Sequence, residues 1–182
     1  MPETYQITED CAVYFVTFTI VGWLPIFISE EPCQLITESL NFCHREKFLR
    51  IDSYVIMPTH LHAILYDADF NAHRLSQSLA AFRKFTGRQL ADYCTKHLPS
   101  FDRVLREQSG KDRERKFWQN SRHPEAIISR RFLEQKRTYL HDNPRRKGLV
   151  RQAEHWRYSS AAFWTGEVTM REEPVILSPV EE

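Results

Sequence analysis

The chain has 182 residues, 42% of them hydrophobic and 12 of them Phe, which suits one domain with a real core and excludes a disordered polymer. No apolar run approaches the roughly 18 residues that span a bilayer, and Met1-Pro2-Glu3-Thr4 lacks the basic and apolar stretches of a secretion signal, so a cytoplasmic protein is expected. Net charge is +1, but Arg103 to Arg157 holds 16 Lys/Arg against 7 Asp/Glu and the remainder 9 against 17, local balances of +9 and −8 that point to a polyanion held on one side.

The run from Ala12 to Ile20 is β-branched and aromatic throughout and predicts a first strand, ended by Gly22 and Pro25. Pro32 followed by Leu35, Ile36, Leu40, Phe42 and Cys43 predicts a helix to about Phe48. Ile51 to Ile56 and Leu61 to Tyr66 read as two strands joined by a tight hairpin at Met57-Pro58-Thr59. From Asn71 to about Lys96, Leu75, Leu79, Phe82 and Leu90 form the apolar stripe of a long helix. Pro99 to Lys116 is polar, charged and contains Gly110, which predicts a flexible loop. Phe117-Trp118-Gln119 and the segment to Ile128 offer another strand. Ser129 can cap a last major helix to about Asp142, with Pro144 as its stop and Gly148 opening a turn.

The acidic tail, residues 165–182, carries prolines and is expected to pack weakly on a single domain whose core runs over about 12–164. This order of elements fits an α+β ferredoxin-like sandwich, a central antiparallel sheet with helices on one or both faces. Cys11, Cys33, Cys43 and Cys94 have no metal or redox spacing and are expected to be free thiols.

Within the third strand, His60, His62, Ile64 and Tyr66 share one face and Leu61, Ala63 and Leu65 the other. Two imidazoles two residues apart on a strand emerge together, close enough to chelate one ion. Tyr139 and Asn143, four residues apart, share a face of the last helix. His141 lies on another face and reads as a surface residue or a helix-end cation. A phenol titrates near 10 and is a poor nucleophile unless a metal ion and cations favour phenolate. Two imidazoles and a carboxamide oxygen leave coordination positions open and suit Mg²⁺ or Mn²⁺ better than a closed structural zinc site. Together these groups predict phosphodiester cleavage through a covalent phosphotyrosine.

Met57-Pro58, His60-Leu61-His62, Tyr139-Leu140-His141-Asp142-Asn143-Pro144, Lys147-Gly148-Leu149-Val150 and Trp156-Arg157-Tyr158-Ser159-Ser160, with Phe117-Trp118-Gln119 upstream, occur in an order that resembles the HUH single-tyrosine transposases, and among them the REP-associated tyrosine transposases. The resemblance covers about Tyr14 to Phe163. It implies a ferredoxin-like fold, a divalent metal and cleavage of single-stranded DNA beside hairpins. It assigns the metal pair to His60 and His62, the third ligand to Asn143 and the nucleophile to Tyr139. Where the family often has an apolar residue after Asn-Pro, this chain has Arg145 and then Arg146.

DNA contacts are expected first from Arg145, Arg146 and Lys147, then from Trp118, Arg122, Trp156 and Arg157. The expected protein is thus a metal-dependent single-strand DNA endonuclease and strand transferase, a monomer or homodimer with single-stranded or hairpin DNA as partner. A relaxase or replication initiator would share the chemistry, and a non-catalytic transposase-derived DNA-binding regulator would share the fold.

Overall fold

Alternation along one strand decides how the molecule is layered. The computed structural model describes residues 12–109, 115–120 and 124–180. In Val13–Thr19 (β1), Tyr14, Val16 and Phe18 enter the larger apolar core, while Val13 and Phe15 enter a smaller one on the opposite face. His60–Asp67 (β3) repeats the pattern, with Leu61, Ala63 and Leu65 in the larger core and Ile64 and Tyr66 in the smaller. In Leu49–Met57 (β2) the parity switches. Leu49 and Ile51 face the larger core, but so do Tyr54 and Ile56. An irregularity in the pairing between Ile51 and Ser53 causes the switch, since one extra residue turns every later side chain over. Asp52 is that extra residue.

The sheet order is β2-β3-β1-β4, every pair antiparallel, with β4 reduced to Glu125–Ala126. Read from the other edge this is the 4-1-3-2 order of a ferredoxin-like sheet. Glu30–Glu46 (α1) and Ala72–His97 (α2) cover the larger core with Ile36, Leu40, Leu75, Leu79, Phe82 and Leu90. Pro99–Glu107 (α3) follows α2, Arg130–Arg146 (α4) covers the smaller core with Leu133 and Leu140, and Ala161–Thr165 (α5) ends the helical set. Met57 pairs with His60, so Pro58-Thr59 is a two-residue hairpin loop, as the sequence predicts. Asn71 caps α2 by accepting from the Arg74 amide, and Ser129 caps α4 by accepting from Phe132.

Three expectations are corrected. The predicted loop from Pro99 begins instead as α3, because Pro99 sits in its first turn, Leu105 is fully buried and Asp102 pairs with Arg106 one turn on. Pro144 does not stop α4, which continues to Arg146. The stop is Gly148 at φ 72°, where the Gly148 amide donates to the Arg145 carbonyl and the Leu149 amide to the Pro144 carbonyl. The tail packs firmly. Val175 and Leu177 are buried in the larger core, the Ser178 amide donates to the Ile51 carbonyl, and the Tyr66 hydroxyl donates to the Ser178 carbonyl. With Tyr158, whose carbonyl accepts from the Ile56 amide, the tail covers the β2 edge that would otherwise stand open. Cys33, Cys43 and Cys94 are free and buried, and burial pushes their thiols up to about 12, 11 and 12; Cys11 lies outside the described residues.

Asp52 ties the α4 face together. Its fully buried carboxylate accepts from Arg137 Nε at 3.1 Å and Nη2 at 2.7 Å, from Ser53 Oγ at 2.7 Å and from the Val180 amide at 2.9 Å. The Arg137 guanidinium also stacks 3.7 Å from the Trp164 ring centroid. Removing one partner strands a buried charge, so Arg137→Met should lower unfolding free energy by about 3 kcal/mol in urea. Adding Asp52→Asn should recover part of that loss, whereas additive losses would deny the coupling.

Glu173 gives the tail a pH response. Burial raises its carboxyl to about 7, against the Tyr54 hydroxyl that donates to it at 3.4 Å. A carboxyl raised in the fold contributes stability that is present below its ordinary value near 4.5 and lost as pH rises through about 7. Wild type should therefore lose on the order of 1 kcal/mol relative to Glu173→Gln between pH 5 and pH 8, after solvent screening. Parallel urea midpoints for the two proteins across that range would refute it.

Candidate active site

The register of β1 against β3 sets the two imidazoles in place. Thr17 lies directly opposite His62 and Thr19 opposite His60. Thr17 Oγ1 is 2.8 Å from His62 Nδ1, and Thr59 Oγ1, in the hairpin loop, is 2.9 Å from His60 Nδ1. When Nδ1–H donates to such a hydroxyl, Nε2 keeps its lone pair, which is how ligating histidines are oriented. The ring centroids are 4.5 Å apart and nearly perpendicular, and Phe15 stacks on His62 at 5.2 Å. Both histidines are over nine-tenths buried. Burial, reinforced by Lys147, lowers His60 to about 4; burial, then His60 and Lys136, lowers His62 to about 3. Both are therefore neutral near pH 7, the state in which an imidazole binds a metal.

α4 supplies the opposite wall. Tyr139 lies with its ring centroid 5.7 Å from His62 and 6.0 Å from Phe15, and it is 40% exposed, so its hydroxyl-bearing ring sits at the rim. Asn143 follows one turn later on the same helix face and is buried. Among the described residues its carboxamide makes no hydrogen bond. Lys147, another turn on, acts electrostatically on His60. The stripe Tyr139, Asn143, Lys147 thus runs past His62 toward His60. One turn before it, Lys136 binds Glu125 at 2.5 Å and lies 4.8 Å from the Phe15 ring and 5.9 Å from the Tyr139 ring. Arg146 lies 5.5 Å from the Tyr139 ring centroid. The donor set, two neutral imidazole nitrogens held by hydroxyls and one unpartnered carboxamide oxygen, fits a hard divalent ion with open positions.

The sequence-predicted DNA contacts divide. Arg146 and Lys147 carry no ion pair among the described residues and lie at the site. Arg145 is exposed but forks onto Asp142, and Arg157 is exposed but pairs with Glu30 at 2.7 Å. Trp118 is corrected to a core residue: it is 5% exposed, its indole N–H donates to Thr86, and it packs on Phe18 and Phe27. Trp156 is half-buried against the smaller core, its indole N–H donating to the Ile56 carbonyl, so its ring is a packing group first. Arg122 lies outside the described residues. His141 is not a surface cation. It meets Ser160 Oγ at 2.8 Å, and burial, then Arg137, lowers it to about 4. Much of the basic segment is neutralised in space by acids from elsewhere, as in Arg115–Asp92, Arg137–Asp52 and Arg157–Glu30.

Sequence reasoning missed Thr17, Thr59 and Lys136. Thr17 carries no local mark, because α1 and β2 lie between β1 and β3 in the chain and no short turn sets their register. Lys136 stands one turn before Tyr139 and was legible from helical spacing alone.

Among the described residues no helix is long and apolar enough to cross a membrane. No protein-family profile matches the chain, and no curated protein does. Among solved structures the chain is similar to a REP-associated tyrosine transposase bound to a REP hairpin, with TM-score 0.59 and 16% identity over 91% of this chain and 85% of that one. The match extends over nearly the whole of both chains, and what it establishes is a shared fold: this α+β sandwich is built like that of the REP-associated tyrosine transposase.

Proposed function

We propose that the chain is a REP-associated, HUH-type tyrosine transposase that nicks and rejoins single-stranded DNA beside hairpins. The observation that carries this reading is the Tyr139 ring at 5.7 Å from His62, on a helix that sets Asn143 one turn further along the same wall. The hairpin bound by the structurally similar transposase supports a DNA hairpin as the ligand here too.

His60 Nε2, His62 Nε2 and the Asn143 side-chain oxygen would hold Mg²⁺ or Mn²⁺, whose contribution when bound is to polarise the scissile phosphate. The Tyr139 oxygen attacks phosphorus and its proton passes to solvent. The bond from phosphorus to the 3′-oxygen breaks, leaving a 5′-phosphotyrosine and a free 3′-hydroxyl once that oxygen takes a proton. Attack by another 3′-hydroxyl reverses these changes, so rejoining needs no nucleotide cofactor. Arg146 and Lys136, both within 6 Å of the Tyr139 ring centroid, set positive charge beside the oxygen that attacks. Thr17 and Thr59 keep the imidazoles oriented, and the burial that keeps them neutral keeps protons from competing for their nitrogens.

With Mg²⁺ or Mn²⁺ and a hairpin-flanked single strand, wild-type protein should form a covalent adduct that survives a denaturing gel. Tyr139→Phe should abolish it with fold and binding nearly intact, His60→Ala or His62→Ala should lose cleavage while retaining binding, and Asn143→Ala should weaken metal dependence less. Full cleavage by Tyr139→Phe would make water the nucleophile and overturn the mechanism.

Salt dependence tests the DNA surface separately. Replacing Arg146 and Lys147 together by Ala should weaken binding across sequences and reduce the slope of log affinity on log salt by about 1.5. Arg145→Ala should change that slope less, because Asp142 already engages its guanidinium. An unchanged slope in the double variant would remove these two residues from the phosphate path.

A further inference from the structure

Three bulky residues adopt a left-handed backbone, Trp23 at φ 54°, Phe48 at φ 57° and Phe70 at φ 57°, and each exposes about half its surface. A large side chain in that region is strained, and such strain persists where the surroundings enforce it. Phe48 and Phe70 have partners that use their rings: Arg74 lies 4.2 Å above Phe48, and Phe70 stacks on Tyr66 at 5.7 Å. Both stand at the end of the sheet away from the histidine hairpin. Trp23 is different. Among the described residues its ring makes an edge-on approach to His60, with centroids 6.1 Å apart at 78°, and 54% of the residue is open to solvent.

The turn that holds Trp23 is rigidly anchored to the site. Gly22 precedes it at φ 66°, and a Cβ there would come 3.3 Å from the Val104 side chain. Around the turn, the Val21 amide donates to the Phe117 carbonyl, the Trp23 amide to the Ile20 carbonyl, the Ile20 amide to the Thr59 carbonyl and the Phe27 amide to the Pro58 carbonyl. The last two bonds grip the same two-residue loop that precedes His60. An indole is therefore fixed beside the imidazole pair by backbone alone, in a conformation that glycine would adopt more readily, with its surface largely uncovered.

We propose that Trp23 is the stacking platform for the unpaired nucleobase next to the phosphate held at His60 and His62. This rests on the nuclease reading above and extends it to how the strand is positioned. Every base has a π-face, so an exposed indole grips single-stranded DNA without reading its sequence. Lying beside His60, it is within one nucleotide's reach of a phosphate held there, and it approaches one imidazole of the pair while Tyr139 approaches the other. A base clamped there would hold its phosphate still while Tyr139 attacks from the other end of the site.

The test uses Tyr139→Phe protein, which cannot cleave, and a DNA hairpin with thymidine single-stranded flanks in which one abasic site is walked along each flank. Trp23→Gly should weaken binding about 5- to 100-fold and Trp23→Phe far less. One abasic position should penalise the Trp23 protein by a similar factor and leave Trp23→Gly unaffected. Trp23→Gly should also melt at or above the parent temperature, because glycine takes a positive φ without strain. Unchanged affinity in Trp23→Gly, or a lower melting temperature that Trp23→Phe restores, would overturn the proposal by making Trp23 idle or a packing residue. If Tyr139 forms no adduct but the abasic walk behaves as stated, the cleavage reading falls and the stacking role stands; if the adduct forms and Trp23→Gly binds as well as its parent, only the stacking role falls.

Discussion

The buried carboxylate of Asp52 is the constraint on which the rest of the α4 face depends. It occupies the irregularity in β2, where the extra residue reverses the facing of every side chain after it and its own carboxylate meets α4. A full charge at zero exposure is unfavourable unless it is closely paired. Here Arg137 supplies the pairing from α4, Ser53 from the strand itself and the Val180 amide from the tail, while the indole N–H of Trp164 in α5 reaches the Asp52 carbonyl at 3.3 Å. One residue, through its carboxylate and its backbone carbonyl, thus ties together α4, the tail and α5. Arg137 stands two residues before Tyr139, so the same contact fixes where the phenol meets the imidazoles.

Burial is distributed unevenly across the site, and the distribution matches the chemistry of each group. His60, His62 and Asn143 are withdrawn from water, which keeps the imidazoles neutral and limits competition by solvent for their donor atoms. Tyr139 stands at the rim, open enough for a strand to approach, with Arg146 and Lys136 on its ring. A fully buried phenol would be out of reach of a polymer as thick as DNA, and an exposed histidine pair would titrate near neutral pH. The fold meets both demands by taking the imidazoles from the middle of a sheet and the phenol from the rim of the helix face that covers it.

The sheet was legible because Ala12 to Ile20 and Leu61 to Tyr66 are β-branched, aromatic and apolar runs bounded by Gly and Pro, and the histidine face because residues two apart on a strand share a side. The switch at Asp52 was not legible, since a bulge leaves no mark in composition. The helix at Pro99–Glu107 was hidden by its charges: its two core contacts, Phe101 and Leu105, are too few to form a stripe, and its Asp102–Arg106 pair looks like loop composition. The buried tail was hidden for a related reason, because acidic residues between Val175 and Leu177 and the body of the chain dominate an average. Trp118 and Trp156 resist assignment from sequence altogether, as an indole that stacks on a base and one that packs in a core have the same neighbours in the chain.

The misplaced end of α4 has the largest consequence. Proline normally forbids the residue before it from remaining helical, and that rule would leave Asn143 outside the helix with its direction undefined. In the structure Asn143 and Pro144 are both helical and both buried. Pro144 cannot donate to the Leu140 carbonyl, but it lies in the last turn, where few amides remain to be lost, and the paired bonds at Gly148 and Leu149 close the helix behind it. Because the helix persists, the periodicity that begins at Tyr139 carries through Asn143 to Lys147, and a phenol, a carboxamide and an ammonium group follow one another along one face of α4. A helix ending at Asp142 would have delivered the phenol alone. The proline that seemed to terminate the element is instead enclosed by it, and that enclosure keeps Asn143 on the helix face that Tyr139 begins.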